Sequence, residues 1–562
     1  MPGFNFSLEN LFKKKWLPYV ILAVIVFGVY AQTLNFNFTY LDDNTLILNN
    51  YRFISNIGNF FKTFGQDVFH GSGADAFYYR PFLTIYFMMG ALISGQGPLG
   101  YHFLNIIVHL AAVFLLFIFL QKLDFGRKAS FIVSLIFAVH PVLTQAVAWI
   151  PGANDSLAAV FILFSFVFFI DYFKTRKWQY LSLHLIFWLG ALFTKETAVF
   201  APILFCFYLF LQRKRFSVGD KNKDLSGFLF IVIGWLVMFI FWFVLRYQAL
   251  GGNVLGMTIG QAFASVYNNL PSVFLYIGKA VFPINLSVFP FLQDQTFVYG
   301  LIATAIIAIL LYLNRKSIDR KNVAFGIVWF LVFLAPSLLR PNLKTQPDLL
   351  EHRIYLPLIG FLIILLEIDW KKIGDRLGGF MNIDPKKINC IFLGLMILTL
   401  SATTIIYSRN FENRMSFWLN AVKNSPHAPL AHRNLGAMYW LDGRIDEART
   451  EYEKALALNS NEEMAHNNLG LIYAQKGDYQ NAINEYQAEL KINPYYDNAF
   501  YNEGLAYWNM GKKDGAAKDW EETIRVNPNY SDAYNALITY YQDKGDSKNA
   551  EFYYSQLQKA LQ

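Results

Sequence analysis

A chain of 562 residues that is 55% hydrophobic and 18% aromatic, with only 16% charged residues, lacks the make-up of a soluble globular protein, in which about a quarter of residues are charged. Its formal net charge is +8, yet the positive residues cluster between apolar runs, which is the positive-inside pattern of a membrane protein and argues against a nucleic-acid partner. The two cysteines, Cys206 and Cys390, lie far apart in apolar segments, so no disulfide framework is expected.

The first apolar run, "WLPYVILAVIVFGVYAQTL", follows a basic flank and is long enough to cross a bilayer, which takes about 20 residues. It offers no convincing small-residue cleavage site, so it reads as a retained span from Trp16 to about Leu34 rather than a signal peptide. Next comes "FTYLDDNTLILNN", with the paired acids Asp42 and Asp43. Further spans are expected near 101–121, 129–142, 156–173, 178–193, 198–212, 227–247, 297–313, 323–339, 355–367 and 389–407, about eleven in all.

The loops between them separate by charge. One side carries the lysines at Lys13, "GRK" from Gly126, "KTRK" from Lys174, "RKR" from Arg213, "NRKSIDRK" from Asn314 and the lysines from Lys371 to Lys387. The other carries the Asp42–Asp43 loop, the stretch after Tyr247 and "NLKTQPDLLEHR". The basic side is expected to be cytoplasmic, which puts the N-terminus inside and the C-terminal region outside. Two segments, "RPFLTIYFMMGALISG" and "AFASVYNNLPSVFLYIGKAVF", are too short or too interrupted for spans. They read as interfacial or re-entrant helices on the outer face.

The expected outer face collects ionisable residues. Arg80 stands in "YYRPF", His140 and Asp155 in "AVHPVLTQAVAWIPGANDSLAAV", Lys195 and Glu196 in "LFTKETAVFAP", and Glu351, His352 and Arg353 in "PDLLEHRIYLP". Charges near bilayer depth are costly, and they mark function more often than decoration. A transporter would place them at mid-membrane; here they sit at span ends. Each also has a structural reading: Asp155 as a helix cap, His140 as a helix-end hydrogen-bond donor, Lys195 and Glu196 as a local ion pair, and Arg353 as a snorkelling interfacial residue.

After about Tyr407 the chain turns polar and repeats. Gly436, Gly470 and Gly504 share one phase, as do Ala448, Ala482, Ala516 and Ala550, and Tyr439, Tyr473, Tyr507 and Tyr541. That 34-residue period is the tetratricopeptide pattern, a stack of helix pairs. The expected organisation is all-α: a polytopic transmembrane domain over 1–410, then a solenoid of half a unit plus four repeats over 411–562, on the extracytoplasmic side.

The ordered set of an acidic pair, "YYRP", "HPV…AVAWI", "KE" and "E.R.YLP" ahead of such repeats resembles the transmembrane and tetratricopeptide-repeat-containing protein O-mannosyltransferases and their prokaryotic relatives, in the GT-C superfamily. The resemblance covers nearly the whole chain. It implies inverting transfer of a sugar, typically mannose, from a polyprenyl phosphate to a protein hydroxyl. It implies Asp42 as general base, with Asp43 orienting the acceptor or sharing the role. Arg353, then Lys195, Arg80 and His352, would hold the donor phosphate. Glu196, Glu351, His140 and Asp155 would position the substrates. Gln145, where the family often has an acid, and Ala153 and Asn154, where it often has a base, depart from the pattern. No cofactor is expected. Some members of the wider superfamily hold a divalent metal with outer-loop acids, for which Asp43 and Asp155 would be the pair, but no His/Cys cluster has metal spacing. The repeats would bind the acceptor or a partner protein. The protein would be a multi-pass protein of the plasma membrane in a prokaryote or of the endoplasmic reticulum in a eukaryote. The competing functions are an oligosaccharide ligase or polymerase that uses a lipid-pyrophosphate glycan, and a membrane-anchored repeat scaffold.

Overall fold

The computed structural model describes residues 14–70, 78–213, 221–252, 258–339, 349–372, 375 and 385–561. Lys13, Lys214, Arg215, Lys386 and Lys387 of the basic loops, and most of "NLKTQPDLLEHR", lie outside the described residues or their described side chains. Among the described residues the chain is nearly all helical, with no strand, and it divides into two compact units, Met1–Asn420 and Ala421–Gln562.

Among the described residues of the first unit, six helical stretches are long and apolar enough to cross a membrane: Leu17–Asn35, Leu99–Lys122, Ile150–Thr175, Ser226–Ala249, Arg320–Leu338 and Ile388–Phe411. Arg127–Ala138 and Pro141–Ala148 form a further apolar pair bent by 54°. The bend falls where Pro141, lacking an N–H and restricting the residue before it, stops the helix. The remaining expected spans coincide with shorter helices, Trp178–Thr194, Ala201–Leu211, Val298–Leu313 and Tyr355–Leu366. Cys206 and Cys390 are both unpaired.

The helices around the site are joined by very close contacts. Arg320–Leu334 and Tyr355–Leu366 cross at Gly326 and Gly360, where a Cβ on either would stand 2.5 Å from the other's carbonyl oxygen. Only glycine permits that approach. Trp329 spans the same crossing, donating from Nε1 to Leu356 O over 2.8 Å.

The second unit is a row of helix pairs: Pro429–Leu441 with Ile445–Leu458, Ala465–Gln475 with Tyr479–Ile492, Asp497–Asn509 with Lys513–Val526, and Ser531–Asp543 with Ser547–Ala560. The turn inside each pair is made by Gly443, Gly477, Gly511 or Gly545, with φ of 75°, 79°, 78° and 74°. The left-handed conformation recurs in the same phase as the packing residues, as a helix C-terminal turn requires. Ala448, Ala482, Ala516 and Ala550 are buried, as a solenoid core demands.

Candidate functional site

A cavity of about 690 Å³ opens in the first unit. Its charged lining residues are Asp42, Arg80, Asp155, Lys195, Glu196, Arg246 and Arg353, with His352 beside them. The sequence places these on segments up to 311 positions apart (from Asp42 to Arg353), and the fold brings them around one cavity. Three arginines and Lys195 face three carboxylates there, so the described lining carries more basic than acidic groups. In a partly dry site that favours an anion.

The acids and bases are locked in pairs. Glu196 follows the Trp178–Thr194 helix and receives Arg80 from Nε at 3.1 Å and Nη2 at 3.0 Å on one oxygen. Its other oxygen receives Arg246 Nη1 at 3.4 Å. Burial pushes the Glu196 carboxyl up, but Arg80 and Arg246 outweigh burial and hold it below its ordinary range. Lys195 Nζ lies 2.6 Å from Asp155 Oδ2. Burial lowers the Lys195 ammonium, which Asp155 opposes and the charge of Arg80 reinforces. With its amide turned to satisfy both neighbours, Asn154 accepts from Arg80 Nη1 at 3.0 Å and donates to Thr194 O at 2.7 Å.

His352 is set from the other side. Gln145 donates from Nε2 to Val288 O (2.8 Å), which fixes its amide and turns Oε1 toward His352. That oxygen accepts the His352 backbone N–H at 3.0 Å and faces ring Nδ1 at 3.1 Å. Nδ1 therefore carries a proton, and Nε2 points at Asp155 Oδ2, 3.7 Å away. The Trp149 ring lies 5.5 Å from the imidazole.

The paired acids of the first loop part company. Asp42 lines the cavity. Asp43 is fully buried and does not line it. One oxygen of Asp43 accepts Thr39 N and Thr39 Oγ1, both at 2.6 Å, and Tyr40 N at 3.1 Å. Tyr40 stands at φ 61°, a left-handed conformation that costs a non-glycine residue about 1–2 kcal/mol, and Asp43 holds that turn. Burial pushes the Asp43 carboxyl up to about 6 against the pull of these hydrogen bonds.

Two other expected site residues also point elsewhere. Glu351 is fully buried, accepting from Lys279 Nζ (2.8 Å), Ser287 N (3.0 Å) and Tyr407 OH (2.9 Å). His140 caps the turn at Pro141: its Nδ1 accepts Val142 N–H, leaving Nε2 to donate to Ala280 O. Neither lines the cavity. Among the described residues no three His, Cys, Asp or Glu side chains gather as a metal site. Asp155 Oδ2 is engaged by Lys195, and Asp43 Oδ2 by Thr39.

Arg246, Gln145 and Asn154 are the residues that sequence reasoning did not place in the site. For Arg246 the available signal was a single arginine in the last turn of a long apolar helix, Lys221–Ala249; Gln145 and Asn154 had stood out only as departures from the family pattern.

Residues 80–243, which carry most of the cavity's charged groups, match the family described as dolichyl-phosphate-mannose-protein mannosyltransferase. Residues 418–463, 442–497 and 501–561 match the tetratricopeptide repeat. The chain is similar to proteins named protein O-mannosyl-transferases. It is 32% identical over 209 residues to protein O-mannosyl-transferase Tmtc1 of Drosophila melanogaster, covering 36% of this chain and 23% of that one. It is 23% identical over 465 residues to protein O-mannosyl-transferase TMTC3 of Homo sapiens, covering 68% of this chain and 48% of the relative. The chain thus spans about half or less of the length of these relatives. Among solved structures, the crystal structure of MamA matches at 26% identity and a TM-score of 0.25, over 26% of this chain and 86% of MamA.

Proposed function

We propose that this protein transfers a single mannose from a polyprenyl-phosphate donor to a serine or threonine hydroxyl of a protein, with inversion at the sugar carbon. The observation that carries the reading is the single cavity in which Asp42 stands with Arg80, Lys195, Arg246 and Arg353. Asp42 takes the acceptor proton as the hydroxyl oxygen bonds to the anomeric carbon. The bond from that carbon to the phosphate oxygen breaks on the opposite face. The leaving phosphodiester becomes a monoester and gains negative charge, which fixed cations stabilise most in the transition state. Arg353, whose planar fork suits a phosphate, leads that role, with Lys195, Arg80, Arg246 and His352 around it. Asp43 fixes the loop that carries the base. Glu196 and Asp155 orient the cations, while Glu351 and His140 support the wall behind them. The repeats stand on the extracytoplasmic side and bind the acceptor or a partner protein.

The test is transfer of mannose from polyprenyl-phosphate mannose to an acceptor peptide by wild type and Asp42→Asn, with donor binding measured alongside. Loss of a general base costs about 10²–10⁴-fold, and donor binding survives because the cations remain. Near-normal transfer by Asp42→Asn removes Asp42 from the mechanism. Activity only with a pyrophosphate-linked glycan replaces the donor class.

A further inference from the structure

Three helices that carry charged groups of the cavity are tied together, away from it, by one imidazole. Ser165 stands on the helix Ala153–Thr175, His184 on Trp178–Thr194 and Trp235 on Lys221–Ala249. The indole Nε1 of Trp235 donates to His184 Nε2 over 2.8 Å. An indole nitrogen can only donate, so Nε2 is the accepting nitrogen and Nδ1 carries the ring proton. Nδ1 lies 3.0 Å from Ser165 O and 2.8 Å from Ser165 Oγ, which donates in turn to His184 O over 3.1 Å. His184 and Ser165 are fully buried and Trp235 is nearly so. Phe169 and Phe205 pack on the imidazole, with ring centroids 5.1 and 4.8 Å away, so no water competes for these bonds. At the same level Gly234 lets two of the helices touch: a Cβ there would stand 2.5 Å from Leu185 Cδ1.

The place of this node along each helix ties it to the cavity. Ser165 is ten residues from Asp155, His184 eleven from Lys195 and Trp235 eleven from Arg246. At 1.5 Å per residue these are about 15–17 Å. Three charges of the cavity thus stand about three turns from one shared pin. The helix from Trp235 to Arg246 is unbroken, and eleven residues at 3.6 per turn come round to within about 20° of the same face. A turn of this helix at Trp235 is therefore repeated at Arg246. Side chains reach about 5–6 Å from a helix axis, so a turn of ~10° moves the guanidinium by ~1 Å. The contact of Arg246 Nη1 with Glu196 Oε1 is already long, at 3.4 Å.

We propose that His184 and Trp235 are positioning residues for the cavity: their hydrogen bond sets the rotation of Lys221–Ala249 and so aims Arg246. That Arg246 is aimed at the donor phosphate rests on the function proposed above; the aiming itself does not. Apolar packing around the node would tolerate a small rotation, whereas a hydrogen bond is directional. Leaving either partner without the other would strand a buried polar atom, so the bond holds the helix to one setting.

A double-mutant cycle separates aiming from plain support. Trp235→Phe keeps an aromatic ring and loses the N–H. It should lower kcat for transfer from polyprenyl-phosphate mannose about tenfold, since a 1 Å misplacement can cost about 100-fold. In an Arg246→Gln background it should lower kcat no further. Sites this far apart ordinarily act additively, so equal fold-losses in the two backgrounds would overturn the proposal. His184→Leu combined with Trp235→Phe replaces both partners by apolar groups and should restore the Tm, while kcat stays low. Recovery of kcat along with the Tm would make the node a support alone and overturn its positioning role. A third reading needs no transfer at all. Amide exchange at residues 246–250, followed in nanodiscs, should quicken severalfold in Trp235→Phe, and unchanged exchange there would overturn the proposal. Quickened exchange in a chain that transfers only a pyrophosphate-linked glycan would support the node and replace the donor class.

Discussion

Lys195 and Asp155 meet at 2.6 Å with side chains only 11% and 5% exposed. Two such charges hold each other in place because each is stranded without the other. Removing one partner of a buried pair costs about 3–5 kcal/mol, whereas replacing both by apolar groups of similar size is often neutral. Asp155→Asn should therefore lower the apparent Tm markedly. Asp155→Leu combined with Lys195→Met should recover most of it while transfer stays lost. Thermal unfolding in detergent, followed by tryptophan fluorescence, checks both. Additive losses in the double variant would show that the two residues act independently.

Arg246 is the cation that sequence reasoning missed, and its role can be separated from that of Glu196, its partner. If it meets the leaving phosphate, its interaction strengthens as charge develops. Arg246→Gln should then lower kcat about 100-fold, the order found for loss of one transition-state donor, with a much smaller rise in donor KM. Steady-state kinetics with varied donor decides this. Unchanged kcat with a lowered Tm would make Arg246 only a support for Glu196.

Asp43 gives the protein a pH-dependent stability with a defined sign. Its carboxyl is raised to about 6 in the folded chain from an ordinary value near 3.9 in the unfolded one. The folded state thus holds the proton more tightly. This contribution to stability is complete below about pH 4 and is lost as pH rises to about 6, a swing of ~3 kcal/mol. Asp43→Asn cannot ionise, so the difference in Tm between variant and wild type should grow in the variant's favour across that window and level off above it. A difference that is flat from pH 4 to 7 would mean that Asp43 is not raised. Transfer should fall less in Asp43→Asn than in Asp42→Asn.

The side of the membrane on which the repeats stand has its own test. Ser460→Cys and Lys513→Cys should react with a membrane-impermeant maleimide in intact cells or spheroplasts. Protection until lysis would put the repeats inside, and the number of crossings before them would be even.

Much of this was legible in the sequence, and the misses have physical causes. The repeats were plain because glycine, alanine and tyrosine positions all kept one phase, and packing between stacked helix pairs admits no other spacing. Arg80, Asp155, Lys195, Glu196, His352 and Arg353 were each recognisable as ionisable groups at expected span ends, and the fold gathers all six around one cavity. What the sequence hid was direction. Glu351, His352 and Arg353 share one tight turn, Glu351–Ile354. With three residues per turn, successive side chains diverge by about 120°, so Glu351 enters the core while His352 and Arg353 face the cavity. Arg246 was overlooked for the opposite reason: an arginine at the end of an apolar helix resembles any boundary residue until the fold shows what lies opposite. The crossings were hard to count because several apolar helices are shorter than a bilayer is thick.

Asp42 and Asp43 are consecutive, yet one looks into the cavity and the other is bolted into the wall by three hydrogen bonds to a single oxygen. The carboxylate proposed as the base is thus one peptide unit from an anchor, with little slack between them. Such a group cannot swing out to greet a substrate. It is a fixed tooth rather than a moving jaw, and recognition must be done by whatever carries the hydroxyl to it. The chemistry of this chain would then be tolerant of sequence around the modified residue and strict about how deeply that residue can reach.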